Sequence, residues 1–215
     1  MARDLAATLA WAETGTRLCA SALSGLSEEE YGAASALPGW TRKHVVAHLA
    51  ANAEAIGNLV RWARTGEETP MYASPQERAA GIERGSRLGA DQLARWFTES
   101  AATLAAAMAE LSDEAWRTEV VTAQGRTVPA SEIPWMRSRE VMVHAVDLAT
   151  GLTFADLPDG FLRALREDIH AKRGRDAVPD VEGSPADVTA YLAGRPATGV
   201  TAADGGLPPA LPPWL

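Results

Sequence analysis

Two pairs of residues in this chain have the types and the spacing to hold a divalent metal. Glu140 and His144 stand four apart in the stretch 131–151, SEIPWMRSREVMVHAVDLATG, and His44 and His48 stand four apart in the stretch 41–65. On a helix, residues i and i+4 share one face, so a carboxylate and an imidazole at that spacing can reach the same point. A third ligand from the other stretch would complete a set of two His and one Glu. Three protein ligands, with a fourth position left to water or substrate, is the arrangement of a catalytic rather than a structural zinc. Spacing leaves open whether His44 or His48 is the third ligand. It also leaves open a plainer reading, in which Glu140 and His144 form an exposed ion pair or His144 is a satisfied interior histidine. His170 lies beside Lys172 and Arg173 and reads as a solvated surface residue.

These residues need rigid elements to position them, and the sequence supplies helices. Residues 4–23 have apolar spacing at Leu5, Leu9, Ala12, Leu18 and Leu23 with no proline inside, which predicts a first long helix. Ser27 with Glu30 fits a capping box on a short helical turn. A turn at Leu37-Pro38-Gly39-Trp40 precedes Thr41, the expected N-cap of a second long helix that ends at Gly66. Trp40 reads as a staple at that helix entrance or as a pocket wall. Asn52, one turn after His48, is placed to point into the same cavity. Ser74-Pro75-Gln76-Glu77 is a strong helix start, and the pattern continues to about Leu111 with a break near Gly85 or Gly89. Residues 118–128 are β-prone on both sides of Gln124-Gly125, so a short hairpin is expected before the helix that carries Glu140 and His144. The other tryptophans read as core or rim packing.

Four long helices with apolar stripes predict a mainly α protein, a four-helix bundle over residues 1–156, with a small C-terminal appendage over 157–215. Within the appendage, a helix is expected over 159–172, a loop over 174–183, a helix from Ser184 to Gly194 and a short strand near 199–203. With 28 acidic and 20 basic side chains the formal net charge is -8, and no run of Lys and Arg could track a phosphate backbone, so nucleic acid is not an expected partner. Asp4 and Glu13 interrupt the N-terminal apolar stretch before a signal-like region is completed, and no segment approaches a membrane span. A cytoplasmic protein is expected. The single cysteine, Cys19, has no internal disulfide partner and sits among Leu18, Ala20 and Ala22, which reads as core packing rather than a nucleophile.

Particular words in the sequence sharpen this reading. Pro38-Gly39-Trp40-Thr41 with HVVAHLA, Asn52-Ala53, WARTGEETPMY over 62–72, IPWMRSREVMVHAVDL over 133–148 and the terminal LPPWL together resemble the mycothiol-dependent maleylpyruvate isomerase family, whose N-terminal part is a DinB-like helical bundle. The resemblance covers nearly the whole chain in order. It implies a catalytic zinc on one His of the second helix and on a Glu and a His of the fourth, which fall here on His48, Glu140 and His144. His44 falls on the motif position that is not a ligand. The resemblance also implies an essential arginine in a Gly-Arg pair at a helix end, matched here by Gly194-Arg195. Composition alone would make Arg195 a C-terminal charge favouring the helix dipole. The family's C-terminal domain is a small α/β unit, and the span 170–184 looks too short for all of its strands, so an abridged form is expected.

The chemistry implied is a cis-trans isomerisation in which mycothiol, a low-molecular-weight thiol, serves as cofactor. Zinc favours thiolate strongly, so such a thiol would be deprotonated near neutral pH. The thiolate would add to the double bond of a cis-configured diacid, rotation would follow, and elimination would leave the trans isomer, turning maleylpyruvate into fumarylpyruvate. An anionic small-molecule substrate needs cations, for which Arg195, Arg139 and Arg137 are available, the last two reading more simply as helix-surface charges. A thiol S-transferase acting on an electrophile and a non-catalytic metal-binding bundle are the alternatives, and a monomer or small homo-oligomer is expected.

Overall fold

The computed structural model describes residues 3–174, 178–212 and 214. Contacts divide the chain into two compact units, Met1–Thr150 and Gly151–Leu215. The first unit is the helical bundle. Helix α1 spans Leu5–Leu23, with the Asp4 carboxylate accepting from the backbone N–H groups of Ala6 and Ala7. The short α2, Glu28–Gly32, opens on the Ser27–Glu30 capping box. Helix α3 runs Arg42–Thr65 and stops at Gly66, whose φ of 74° is a conformation that glycine adopts without strain. Helices α4, Pro75–Gly85, and α5, Ala90–Ala109, replace the single interrupted pattern read from the sequence, with the chain turning through 86–89. Strands β1, Glu119–Val121, and β2, Thr127–Pro129, form an antiparallel hairpin in which Val120 faces Val128. Helix α6 then spans Ile133–Asp147.

In this unit α1 packs mainly on α6, and α3 packs on α4, α5 and α6. The α1–α6 approach is close because residue 15 is glycine. A Cβ there would overlap the Val141 side chain and come within 3.0 Å of the Met142 backbone nitrogen. Helix α6 is buried nearly all round, from Ile133 to Asp147, which is why it lacks a strong one-sided stripe. Its C-terminal end is tied to the start of α3 by Arg42, which donates to the carbonyl oxygens of Leu148 at 2.7 Å and Ala149 at 2.8 Å. These carbonyls have no partner within α6, and a guanidinium at a helix C-terminus also suits the dipole. The clamp fixes the register of α3 against α6, and with it the distance between the side chains that the two helices present to each other.

The second unit contains α7, Asp159–Arg173, and α8, Pro185–Leu192, packed together, and an antiparallel pair of strands, β3, Val181–Gly183, and β4, Val200–Ala202. Phe161, Leu162, Leu165 and Ile169 of α7 and Tyr191 and Leu192 of α8 are buried. Strand β3 lies within the span expected to be loop. Three residues are too few to show alternation, and the partner that makes them a strand lies about twenty residues further on. Residues 175–177 of that span, and Pro213 and Leu215 of the LPPWL word, lie outside the described residues. The tail is held by the Tyr191 hydroxyl donating to the Pro209 carbonyl oxygen at 2.6 Å, and by the Trp214 backbone N–H donating to the Ala193 carbonyl oxygen. Among the described residues no helix is long and apolar enough to cross a membrane.

Candidate metal centre

His48 lies in the second turn of α3 on a face buried against α6, with Val45, Leu49 and Asn52 buried around it. The register set by the Arg42 clamp brings it opposite Glu140 and His144. His48 Nε2 is 2.9 Å from Glu140 Oε2, His144 Nε2 is 3.4 Å from the same oxygen, and the two imidazole rings meet edge to face at 5.0 Å between centroids. One ligand atom from each of the three residues lies within 4.8 Å of the others. Both histidines are buried, while the Glu140 side chain keeps 17% of its surface exposed.

His44, the other candidate from spacing, is committed elsewhere. It occupies the third position of α3, where its Nδ1 accepts from the Thr41 backbone N–H at 3.2 Å and lies 2.8 Å from the Thr41 hydroxyl. Its Nε2 is 3.5 Å from a Glu83 carboxylate oxygen. Trp40 stacks on the His44 ring and tilts against His48, with centroids 6.1 and 5.8 Å away, so it packs both histidines.

The electrostatics of the cluster follow from its partners. At Glu140, burial works to raise the carboxyl, but hydrogen bonds from His144 and His48, with their charge, hold it well below the usual carboxylate range. Burial lowers His48, and its bond to Glu140 offsets this only in part. At His144 burial acts in the same direction, yet the bonds to Asp147 and Glu140 outweigh it and raise the group. The histidines differ because His144 has two carboxylate neighbours and His48 one.

Asp147 is the residue that sequence reading missed. It is fully buried, and its Oδ2 lies 2.8 Å from His144 Nδ1. A carboxylate accepting at Nδ1 fixes the proton there and aims Nε2 at the Glu140 side, as outer carboxylates do for metal-bound histidines. The signal was present as a His-x-x-Asp spacing, since i and i+3 share a helix face.

The three residues fit a divalent metal on their donor chemistry. Zinc takes imidazole nitrogen and carboxylate oxygen at about 2.0–2.2 Å, which places neighbouring donors of a tetrahedral site roughly 3.3 Å apart. The separations from Glu140 Oε2 are of that size. The cluster opens onto a cavity of about 630 Å³ whose walls include His48, Asn52, Tyr72, Arg78, Arg139 and Glu140, together with the 121–125 turn of the β1–β2 hairpin.

The remaining arginines are placed differently from their simplest reading. Arg137 is not a helix-surface charge. It is 2% exposed, because α6 has almost no solvent-facing side at that point, and it donates from Nη1 to the Leu49 carbonyl oxygen and to Asn52 Oδ1. Arg139 lines the cavity and also stacks over the Trp135 ring at 5.9 Å. Arg195 follows Gly194 beyond the end of α8 in the second unit, buried, with Nη1 donating to the Ala193 carbonyl oxygen. Cys19 is fully buried and donates to the Val141 carbonyl oxygen at 3.2 Å, and burial pushes its thiol up to about 12.

Fold and cluster together define a helical-bundle protein with a His-Glu-His centre open to a cavity. The model of the mycothiol maleylpyruvate isomerase N-terminal domain matches residues 11–149, and the chain belongs to that family. It is also similar, over 99% of its length and 98% of theirs, to crystal structures of a mycothiol-dependent maleylpyruvate isomerase and of a histidine-to-alanine variant of it, each with 42% identity and a TM-score of 0.92. No curated protein sequence matches. With coverage nearly complete on both sides, the C-terminal region is not shortened relative to these solved structures.

Proposed function

We propose that this chain is a metal- and mycothiol-dependent isomerase that converts maleylpyruvate to fumarylpyruvate, with His48, Glu140 and His144 as the metal ligands. The single observation that carries this is the convergence of those three side chains beside a cavity, in a chain whose only cysteine is buried. Isomerisation by reversible addition needs a nucleophile, and Cys19 is sealed in the α1–α6 seam with its thiol held protonated. The nucleophile is assigned to a small thiol on the match to the mycothiol-dependent family.

A divalent metal on the three ligands would supply Lewis-acid stabilisation of negative charge on that thiol. The chain does the rest. Asp147 holds the His144 ring in place, and the Arg42 clamp keeps α3 and α6 in register. The thiol and the small diacid are assigned to the cavity of about 630 Å³ that the cluster borders. The thiolate adds to one carbon of the double bond, the new single bond rotates, and loss of the same thiolate restores the double bond in the trans form. Arg195 is assigned to the substrate on the match of its Gly-Arg pair. The protein works in the cytoplasm as a monomer or small homo-oligomer.

The test is conversion of maleylpyruvate by protein loaded with zinc, with and without mycothiol. Turnover requiring both is expected. Absence of turnover, together with conjugation of mycothiol to a simple electrophile, would replace the isomerase by a thiol transferase.

A further inference from the structure

Arg137 is the largest charged side chain buried in the bundle, and its surroundings define a second feature of the site. A guanidinium without a carboxylate partner is a costly thing to bury, and an apolar side chain of similar volume would hold two helices together at lower cost. Among the described residues no carboxylate pairs with Arg137, and its Nη2 is buried without a hydrogen-bond partner. What it does make is specific. Nη1 donates at 2.8 Å both to the Leu49 carbonyl oxygen and to the Asn52 side chain. Arginine has no acceptor, so the Asn52 atom facing it must be Oδ1, and the amide cannot flip. The Asn52 NH2 group is thereby turned the other way.

That other side is the cavity. Asn52 is 4% exposed and lies one turn beyond His48 on the same face of α3. It lines the cavity with Tyr72 and Arg78. The Arg78 guanidinium lies over the Tyr72 ring at 5.9 Å, with Nη2 3.4 Å from His48 Nδ1. Among the described residues no carboxylate pairs with Arg78. A fixed amide donor and an unneutralised guanidinium thus border the same space, next to a cluster whose own carboxylate is already engaged by two histidines.

Resting on the isomerase reading, we propose that Asn52 and Arg78 bind one carboxylate of the substrate beside the His48-Glu140-His144 cluster, and that Arg137 is the positioning residue that locks the Asn52 amide with its NH2 toward the cavity. A carboxylate offers acceptors only, which matches the donors that face it. Holding it there would anchor one end of an unsaturated diacid while the other part of the molecule rotates.

The test uses maleate, a cis diacid, titrated calorimetrically into the full-length protein in both metal-loaded and metal-free forms. Binding by the parent is expected in both, weaker without metal, and a parent that binds no maleate in either form overturns the proposal. Asn52→Asp keeps the acceptor for Arg137 but puts a carboxylate oxygen where the NH2 was. It should weaken maleate binding at least about thirtyfold at unchanged zinc content, and Arg78→Met about tenfold. Maleate affinities equal to the parent in both variants would overturn the carboxylate site. In the isomerase assay Asn52→Ala should raise KM about tenfold with kcat within about twofold. Arg137→Gln, which lets the amide turn, should cost maleate affinity in the parent but nothing further in an Asn52→Ala background. Additive losses there would remove the positioning role of Arg137. Should Arg137→Gln not fold, Arg137→Met, which has no donor to hold the amide, takes its place in the same cycle. Maleate binding with these variant effects, but without turnover of maleylpyruvate, would count against the isomerase reading and leave the carboxylate site standing.

Discussion

Along its N-terminal half α3 buries His48 and Asn52 with Arg137, Glu140 and His144 of α6, and along its C-terminal half it buries Ile56, Leu59 and Val60 in a cluster with Leu104, Met108, Leu111 and Trp116. One helix thus joins two kinds of interior. In the apolar cluster no particular contact is indispensable, because burial energy scales with area and neighbours can adjust. In the polar region each of these side chains has at least one named partner at hydrogen-bond distance, and removing one leaves another stranded. Stability and chemistry are therefore expected to separate along α3.

The largest expected effect comes from breaking the polar region at its centre. His144→Ala should abolish zinc retention and activity while leaving the helical circular dichroism signal largely intact, since most of the burial lies elsewhere. His44→Ala, four residues before His48 but engaged with Thr41, should keep the zinc and cost about 1 kcal/mol of stability or less. Zinc lost from His44→Ala and kept by His48→Ala would move the site by one helical turn. The converse mutation is Leu104→Ala in the apolar cluster. It should lower unfolding free energy by about 2–5 kcal/mol in urea denaturation, with zinc content per folded molecule unchanged.

Smaller effects sharpen the contrast. Asp147→Asn keeps an acceptor at His144 Nδ1 but removes the charge, and zinc affinity measured against a chelating dye should fall about tenfold. Cys19, in the α1–α6 seam, gives the pH-dependent case. Its folded value near 12 lies above the ordinary 9.0, so between those limits the folded state holds a proton that the unfolded chain has lost. Stability contributed by the thiol is full below pH 9 and is lost as pH rises toward 12. Parent and Cys19→Ala denaturation curves compared from pH 8 to 11 should converge or cross as pH rises, and the native thiol should resist alkylation at pH 8. The smallest effect belongs to Ala149, whose φ of 55° is left-handed for a non-glycine residue just past α6. Ala149→Gly relieves that strain at some entropic cost, and a stability gain of about 0–1 kcal/mol is expected from thermal unfolding.

The sequence by itself determined the helices and their ends, because those signals are local. Ser27, Ser74 and Gly66 act within a few residues of their own position, and the structure uses each as read. It also placed Glu140 and His144 on one face, since helical spacing alone does that. Spacing could not choose between His44 and His48. Both lie at the N-terminal end of α3, and what separates them is the capping contact that occupies His44 and the register of α3 on α6, set by Arg42 reaching carbonyl oxygens more than a hundred residues away. The same long-range packing decided that Arg137 is buried rather than solvated, that Asp147 meets His144 in the interior, and that Val181–Gly183 finds a strand partner in Val200–Ala202. Pattern reports what a residue does to its own turn of helix, whereas burial, pairing and the orientation of an amide depend on what another element brings alongside, and only the tertiary structure supplies that.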